Sequence, residues 1–166
     1  MKNKILIGGL LVVLLSVSIA CNQKKEETTP IVPVIDKEQL KTEIQAIEDN
    51  FASVYNTGNI DSLTYYADDA TSYFNGKMPL MGKEAIHQSM NEELANFTKG
   101  DKISFETKEV YVADNGNHVL EIGAFIFKDS TGTKLRSGNY FSLFEKRDGK
   151  YVCVRDMGNS EPAPEK

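Results

Sequence analysis

The chain has no tryptophan, and only two cysteines and two histidines among its 166 residues. These scarcities exclude several chemistries. Cys21 and Cys153 stand far apart, as do His87 and His118, so no zinc-ligand spacing and no disulfide framework can be assembled. No phosphate-cradling glycine loop and no serine-nucleophile elbow is present, and no cofactor is implied. Basic charge is also short, with 19 Lys and Arg against 24 Asp and Glu and a net charge of −5. A moderately acidic chain without clustered Lys and Arg argues against nucleic acid as a partner. The longest apolar run, Ile5 to Leu15, falls short of the ~20 residues that span a bilayer.

What is present at the N-terminus has the layout of a secretory signal peptide over residues 1–20. Lys2 and Lys4 precede the apolar run, and small residues lead to Ala20. "SIAC" before a polar stretch resembles the bacterial lipobox, with Ser18 where Leu is commoner. That resemblance makes Cys21 the lipidated N-terminus of the mature chain and the membrane its partner through that lipid. Residues 21–35, "CNQKKEETTPIVPVI", are polar, charged and twice interrupted by proline, the composition of a flexible tether. Asn22 is not the Asp that marks inner-membrane retention in enterobacteria. An outer-membrane address is therefore expected in the cell envelope, with the periplasmic and surface-exposed sides both open. The charged run also resembles the surface-export signal of Bacteroidota lipoproteins. Loss of residues 1–20 would remove two lysines and no acid, leaving the mature chain more acidic. Residues 161–166, "EPAPEK", read as a disordered tail.

Residues 36–160 are long enough for one domain with a real core. Asp36 with Gln39 has capping-box spacing, and Leu40, Ile44, Ile47, Phe51 and Val54 recur on one helical face. "NTG" stops this helix, with Gly58 suited to a left-handed cap. "DSLTYYA" predicts a short second helix, "ATSYF" a brief strand and "NGKMPLMG" a loop or hairpin. Ile86, Met90, Leu94 and Phe97 then mark a third helix. From Lys102 the period falls to near two, with a slip of phase between Phe105 and Val110 that predicts a bulge. "DNGN", "DSTGT" and "RDG" separate four strands of an antiparallel meander. Helices first and strands after predict an α+β fold, its bent sheet wrapping the long helix around a hollow.

The stretches "FASVYNTGNIDSLTYYADDAT", "GKEAI" and "SGNYFSLFEKRDGKYVCVRDMGNS", in this order, carry a family resemblance. Residues 38–160 resemble the nuclear-transport-factor-2-like superfamily, especially its SnoaL-like and steroid-isomerase-like bacterial members. The resemblance implies a cone-shaped α+β barrel, three N-terminal helices on a strongly curved, mainly antiparallel sheet, a deep pocket and a homodimer through the sheet. It implies no single activity, because one fold hosts many. Isomerase chemistry needs a carboxylate base and two acidic donors facing an enolate oxygen. The resemblance puts the base at Phe74, the tyrosine donor at Phe51, and the second acid between Gly138 and Tyr140, where there is none. Catalysis by that route is not expected.

Asp156, in the last predicted strand, is the remaining candidate acid or base. Without a bulge, Val152, Val154 and Asp156 share one face and Tyr151, Cys153 and Arg155 the other. Comparison with the isomerase puts the Val154 phase on the pocket side, with Phe51, Tyr73, Phe74, Asn139, Tyr140 and Asn159 as further pocket candidates. Alternatively, Asp156 accepts from backbone amides or a tyrosine hydroxyl and helps close the cone. Asp68 and Asp69 read as structural carboxylates, His87 as a half-exposed helix residue, and Cys153 as a buried, inert thiol. Three functions stay open. The first is binding of a small, largely apolar ligand without catalysis. The second is an isomerase, cyclase or dehydratase using Asp156, and the third a dimeric interaction module.

Overall fold

A computed structural model describes residues 35–162. The expected signal peptide, the lipidation site Cys21, the tether up to residue 34 and the tail beyond Pro162 lie outside the described residues. The element order is α1 (Lys37–Thr57), β1 (Tyr66–Phe74), β2 (Leu80–Met81), α2 (Lys83–Leu94), β3 (Lys102–Ala113), β4 (His118–Lys128), β5 (Lys134–Arg147) and β6 (Lys150–Ser160). The strands form one six-stranded sheet in the order β2-β1-β6-β5-β4-β3. Every pairing is antiparallel except β1 with β6.

α1 begins where Asp36 accepts hydrogen bonds from the backbone N–H groups of Glu38 and Gln39, at 3.0 and 3.1 Å. It ends at Gly58, whose φ of 74° completes a left-handed cap. Its buried face is Leu40, Ile44, Glu48, Phe51, Ala52 and Tyr55. That face is rotated from the expected one: Ile47 and Val54 are only half-buried, and a glutamate takes the centre. Two amides fasten α1 along β3, the sheet's edge strand. Gln45 bonds Phe105 O and Thr107 N, and Asn56 bonds both backbone groups of Ile103. Side chains thus satisfy backbone groups that an edge strand would otherwise leave unpaired.

The predicted second helix is a correction. Only Ile60–Ser62 forms a single 3₁₀ turn, and Tyr66 already belongs to β1. Two α-helices therefore stand among the described residues where three were expected. Seven residues cannot carry a helix by propensity alone, and adjacent tyrosines favour a pleated surface. The sheet curls at irregularities in its ladders. Lys108 is the extra residue between Thr107 and Glu109, at the phase slip read from the sequence. Val154 is extra between Cys153 and Arg155, which pair with Phe144 and Leu143. Each bulge bends its strand and raises the local twist.

The second bulge overturns the expected facing of β6. The inner face of β5 is Gly138, Tyr140, Ser142 and Phe144, and their partners on β6 are Ser160, Gly158, Asp156 and Cys153. Asp156 therefore shares the inner face with Cys153, and Val154 does not lie in phase with it.

Candidate functional site

Between α1, α2 and the inner face of the sheet lies a cavity of about 200 Å³. Phe51 and Tyr55 from α1, Met90 from α2, Phe105 from β3, and Phe125 and Phe127 from β4 form its apolar wall. The rings meet mainly edge to face, as Phe51 does with Phe105 at 5.0 Å and Phe105 with Tyr140 at 5.6 Å. Two glycines make room for this aromatic layer. A Cβ on Gly123 would stand 2.1 Å from Cζ of Tyr140, and one on Gly138 would stand 2.6 Å from Cζ of Phe125. The rings cross the sheet over strand partners that have no side chain.

Three carboxyl groups come together at the base, each held by a tyrosine. Tyr65 donates to Glu48 at 2.6 Å, Tyr140 to Glu121 at 2.9 Å and Tyr66 to Asp156 at 2.7 Å. Thr107 also donates to Glu121, at 2.6 Å, and the Ser142 hydroxyl lies 3.0 Å from that of Tyr65. Glu48 and Glu121 are almost wholly buried, at 1% and 0% exposure. Burial pushes both carboxyls up from the ordinary range, and for Glu48 the neighbouring Glu121 charge adds to the rise. Burial likewise raises Asp156, against the opposing pull of the Ser72 and Tyr66 hydroxyls. The hydroxyls favour ionisation but do not offset the loss of water, so these acids hold their protons beyond the usual carboxylate range.

Asp156 and Glu121 each keep one carboxyl oxygen without a hydrogen-bond partner, and of the two Asp156 lines the cavity. The Asp156 Oδ1 makes no hydrogen bond of normal geometry, and neither does the hydroxyl of Ser72, its strand partner on β1. Glu48 and Asp156 both line the cavity. The site therefore combines an apolar chamber, acids whose pKa values burial raises, and tyrosines whose ionisation burial suppresses. Among the described residues, no group of three His, Cys, Asp or Glu residues could hold a metal ion.

Of the residues singled out in the sequence, Phe51, Phe74, Tyr140, Asp156 and Asn159 line the cavity. Tyr73 and Asn139 line a shallow groove at its mouth. Val154 is buried but lies outside the lining. Phe51 and Phe74 occupy the positions where the resemblance implied proton-moving groups, and a phenyl ring moves none. The stretch from Gly138 to Tyr140 contains no acid, yet the Tyr140 hydroxyl meets one on the next strand, Glu121. His87 is half-buried on α2 beside Asp61 and Glu84, away from the chamber. Asp69 pairs with Arg147 through contacts of 2.6 and 3.2 Å, and Asp68 pairs with Lys83. Both aspartates serve the surface of β1.

Glu48 and Glu121 were missed in the sequence, although each left a signal. Glu48 stands four residues after Ile44 and three before Phe51, inside the apolar period of α1. Glu121 alternates with Val119 and Gly123 on the buried phase of β4. A charge on an apolar phase is the mark of a paired buried group.

No protein-family model matches the chain, and no curated protein matches it. Solved structures do. An NTF2-like protein with a cystatin-like fold from Novosphingobium aromaticivorans aligns with a TM-score of 0.60 at 15% identity, covering 73% of this chain and 81% of the other. A ketosteroid isomerase-like protein from Erwinia carotovora atroseptica aligns at 0.59 and 18% identity, covering 78% and 100%. A Catenulispora acidiphila protein in complex with S-DNPA aligns at 0.60 and 15% identity, covering 75% and 95%. At such identities the likeness concerns architecture alone: the chain has the nuclear-transport-factor-2-like, cystatin-like fold, a curled mixed sheet with two helices.

Proposed function

We propose that this domain binds a small, largely apolar molecule in the cone and does not turn it over. The observation that carries this reading is Asp156. It stands on the wall of an open aromatic chamber with one oxygen hydrogen-bonded to Tyr66 and the other without a partner of normal geometry. A buried polar atom left open costs free energy, and an oxygen function on a ligand would relieve that cost. Phe51, Phe125 and Tyr140 line the chamber and leave space between them. The fold alone assigns no reaction, because sites and not folds decide chemistry.

A second reading rests on the same carboxyl. An acid whose pKa is raised by burial is better matched to proton transfer than an ordinary carboxylate, so Asp156 would serve as acid or base in an isomerase, cyclase or dehydratase. Asp156→Asn separates the readings. As a binding residue, it should lose about tenfold in affinity for a hydroxyl-bearing aromatic such as 2-naphthol, with thermal stability near wild type. Turnover that vanishes in Asp156→Asn would establish the enzyme instead. Unfolding of that variant would assign Asp156 to closing the cone.

A row of exposed apolar side chains on the outer sheet face supports self-association. Tyr73, Met157 and Phe141 are strand neighbours in register, and Phe141 is followed across β4 by Ile122. We place the domain as a dimer in the cell envelope, tethered by lipid on Cys21. Mass spectrometry of the mature N-terminus tests the tether: a diacylated or triacylated Cys21 is expected, and an unmodified cysteine refutes it.

A further inference from the structure

The mouth of the chamber has a charge pattern that its interior lacks. Phe74, Asn75, Lys77, Met157 and Asn159 line both the chamber and the groove outside it, which places them where the two join. Lys77 sits on the β1–β2 hairpin, and its Nζ reaches across to α2, donating to the buried Ser89 Oγ at 3.0 Å. The other cation of the lining, Arg136, lies 4.0 Å over the Phe127 ring and pairs with Glu93. Lys77 makes no ion pair among the described residues. The remaining acids of the lining, Glu48 and Asp156, stand at the base and are held toward their neutral forms by burial.

An apolar chamber with a tyrosine-bonded carboxyl at its base and one unopposed cation at its rim is asymmetric along its length. Building on the ligand-binding reading above, we propose that the ligand is an amphipathic monoacid. Its apolar body fills the aromatic chamber, an oxygen function meets Asp156, and its anionic group pairs with Lys77 between the side-chain amides of Asn75 and Asn159. The cation is anchored by Ser89 rather than by a carboxylate, so an incoming anion displaces no ion pair. Its exposure limits the gain to the ordinary range of a partly screened pair, about fivefold in affinity.

Fluorescence titration of the full chain with 6-hydroxy-2-naphthoate and 2-naphthol tests this directly. The two probes share the apolar body and hydroxyl and differ in the carboxylate. The naphthoate should bind about fivefold more tightly at low salt, and the advantage should fade at high salt. Lys77→Met should abolish the advantage, bringing the two probes to equal affinity, with the melting temperature near wild type reporting an intact fold. A carboxylate advantage that survives Lys77→Met, or its absence from the wild type while 2-naphthol still binds, overturns the inference and leaves the chamber as a ligand site. If neither probe binds the wild type, the ligand-binding reading falls with it.

Discussion

The two faces of the curled sheet invert the usual distribution of side chains. On the inner face, Thr107, Glu121, Ser142 and Asp156 are withdrawn from water among aromatic rings, facing Glu48 on α1. On the outer face, Tyr73, Tyr111, Leu120, Phe141 and Met157 stay exposed. Scattered exposed apolar residues are ordinary, but acids buried in a cavity and apolar residues in register across strands both call for an explanation. Each inner acid accepts from a tyrosine, and one oxygen each of Glu121 and Asp156 is left without a partner. The outer row stays exposed among the described residues. On this difference rest the two proposals, a molecule held against the inner face and self-association through the outer one.

The largest test of this contrast uses two phenylalanines on β5. Phe144 is wholly buried against Tyr65, and Phe141 is 49% exposed. Phe144→Ala should cost about 3–5 kcal/mol in chemical denaturation, because it removes packed aromatic surface and leaves a void. A loss below 1 kcal/mol would mean that the inner layer is not close-packed.

A smaller effect should come from the buried acids, and its sign follows from their raised pKa values. The folded state holds protons that the unfolded chain releases above the ordinary carboxylate range. Folding is therefore favoured in acid, and that contribution is lost as pH rises through the folded pKa values. Glu48→Gln keeps an oxygen for the Tyr65 hydroxyl and removes one ionisation. Its melting temperature should match wild type in mild acid and exceed it at neutral to alkaline pH, by on the order of 1 kcal/mol in stability. Parallel pH profiles would show that the Glu48–Glu121 pair ionises freely. The smallest expected effect on stability is that of Phe141→Ser, within about 0.5 kcal/mol. Its readout is association: sedimentation should show the proposed dimer weakened, whereas unchanged association would remove the outer row from the interface.

Much of this architecture was readable from periodicity. α1, α2 and the four-strand meander follow from apolar spacing and turn residues, and the bulge at Lys108 follows from the slip between Phe105 and Val110. The short segment from Asp61 to Ala67 was misread because a few apolar residues fit either period, and pairing of Tyr66 with Cys153 decides for strand. Asp156 was placed at the hollow by comparison with an isomerase, whereas the facing of β6 depends on one extra residue, Val154. Nothing local in "YVCVRD" reveals that residue as extra, because a bulge is set by the partner strand. The tyrosine partners were hidden for a similar reason. Tyr65 and Glu48 are 17 positions apart, and Tyr66 and Asp156 are 90 apart, so only the tertiary fold brings each pair together.

The central claim is that the chamber holds a small apolar molecule, and native mass spectrometry of the chain isolated from its own host tests it most directly. The wild type should carry a small-molecule mass excess that disappears in Met90→Trp, where a larger ring takes up the chamber. A bare polypeptide mass for the wild type, or an excess that Met90→Trp retains, would contradict the account.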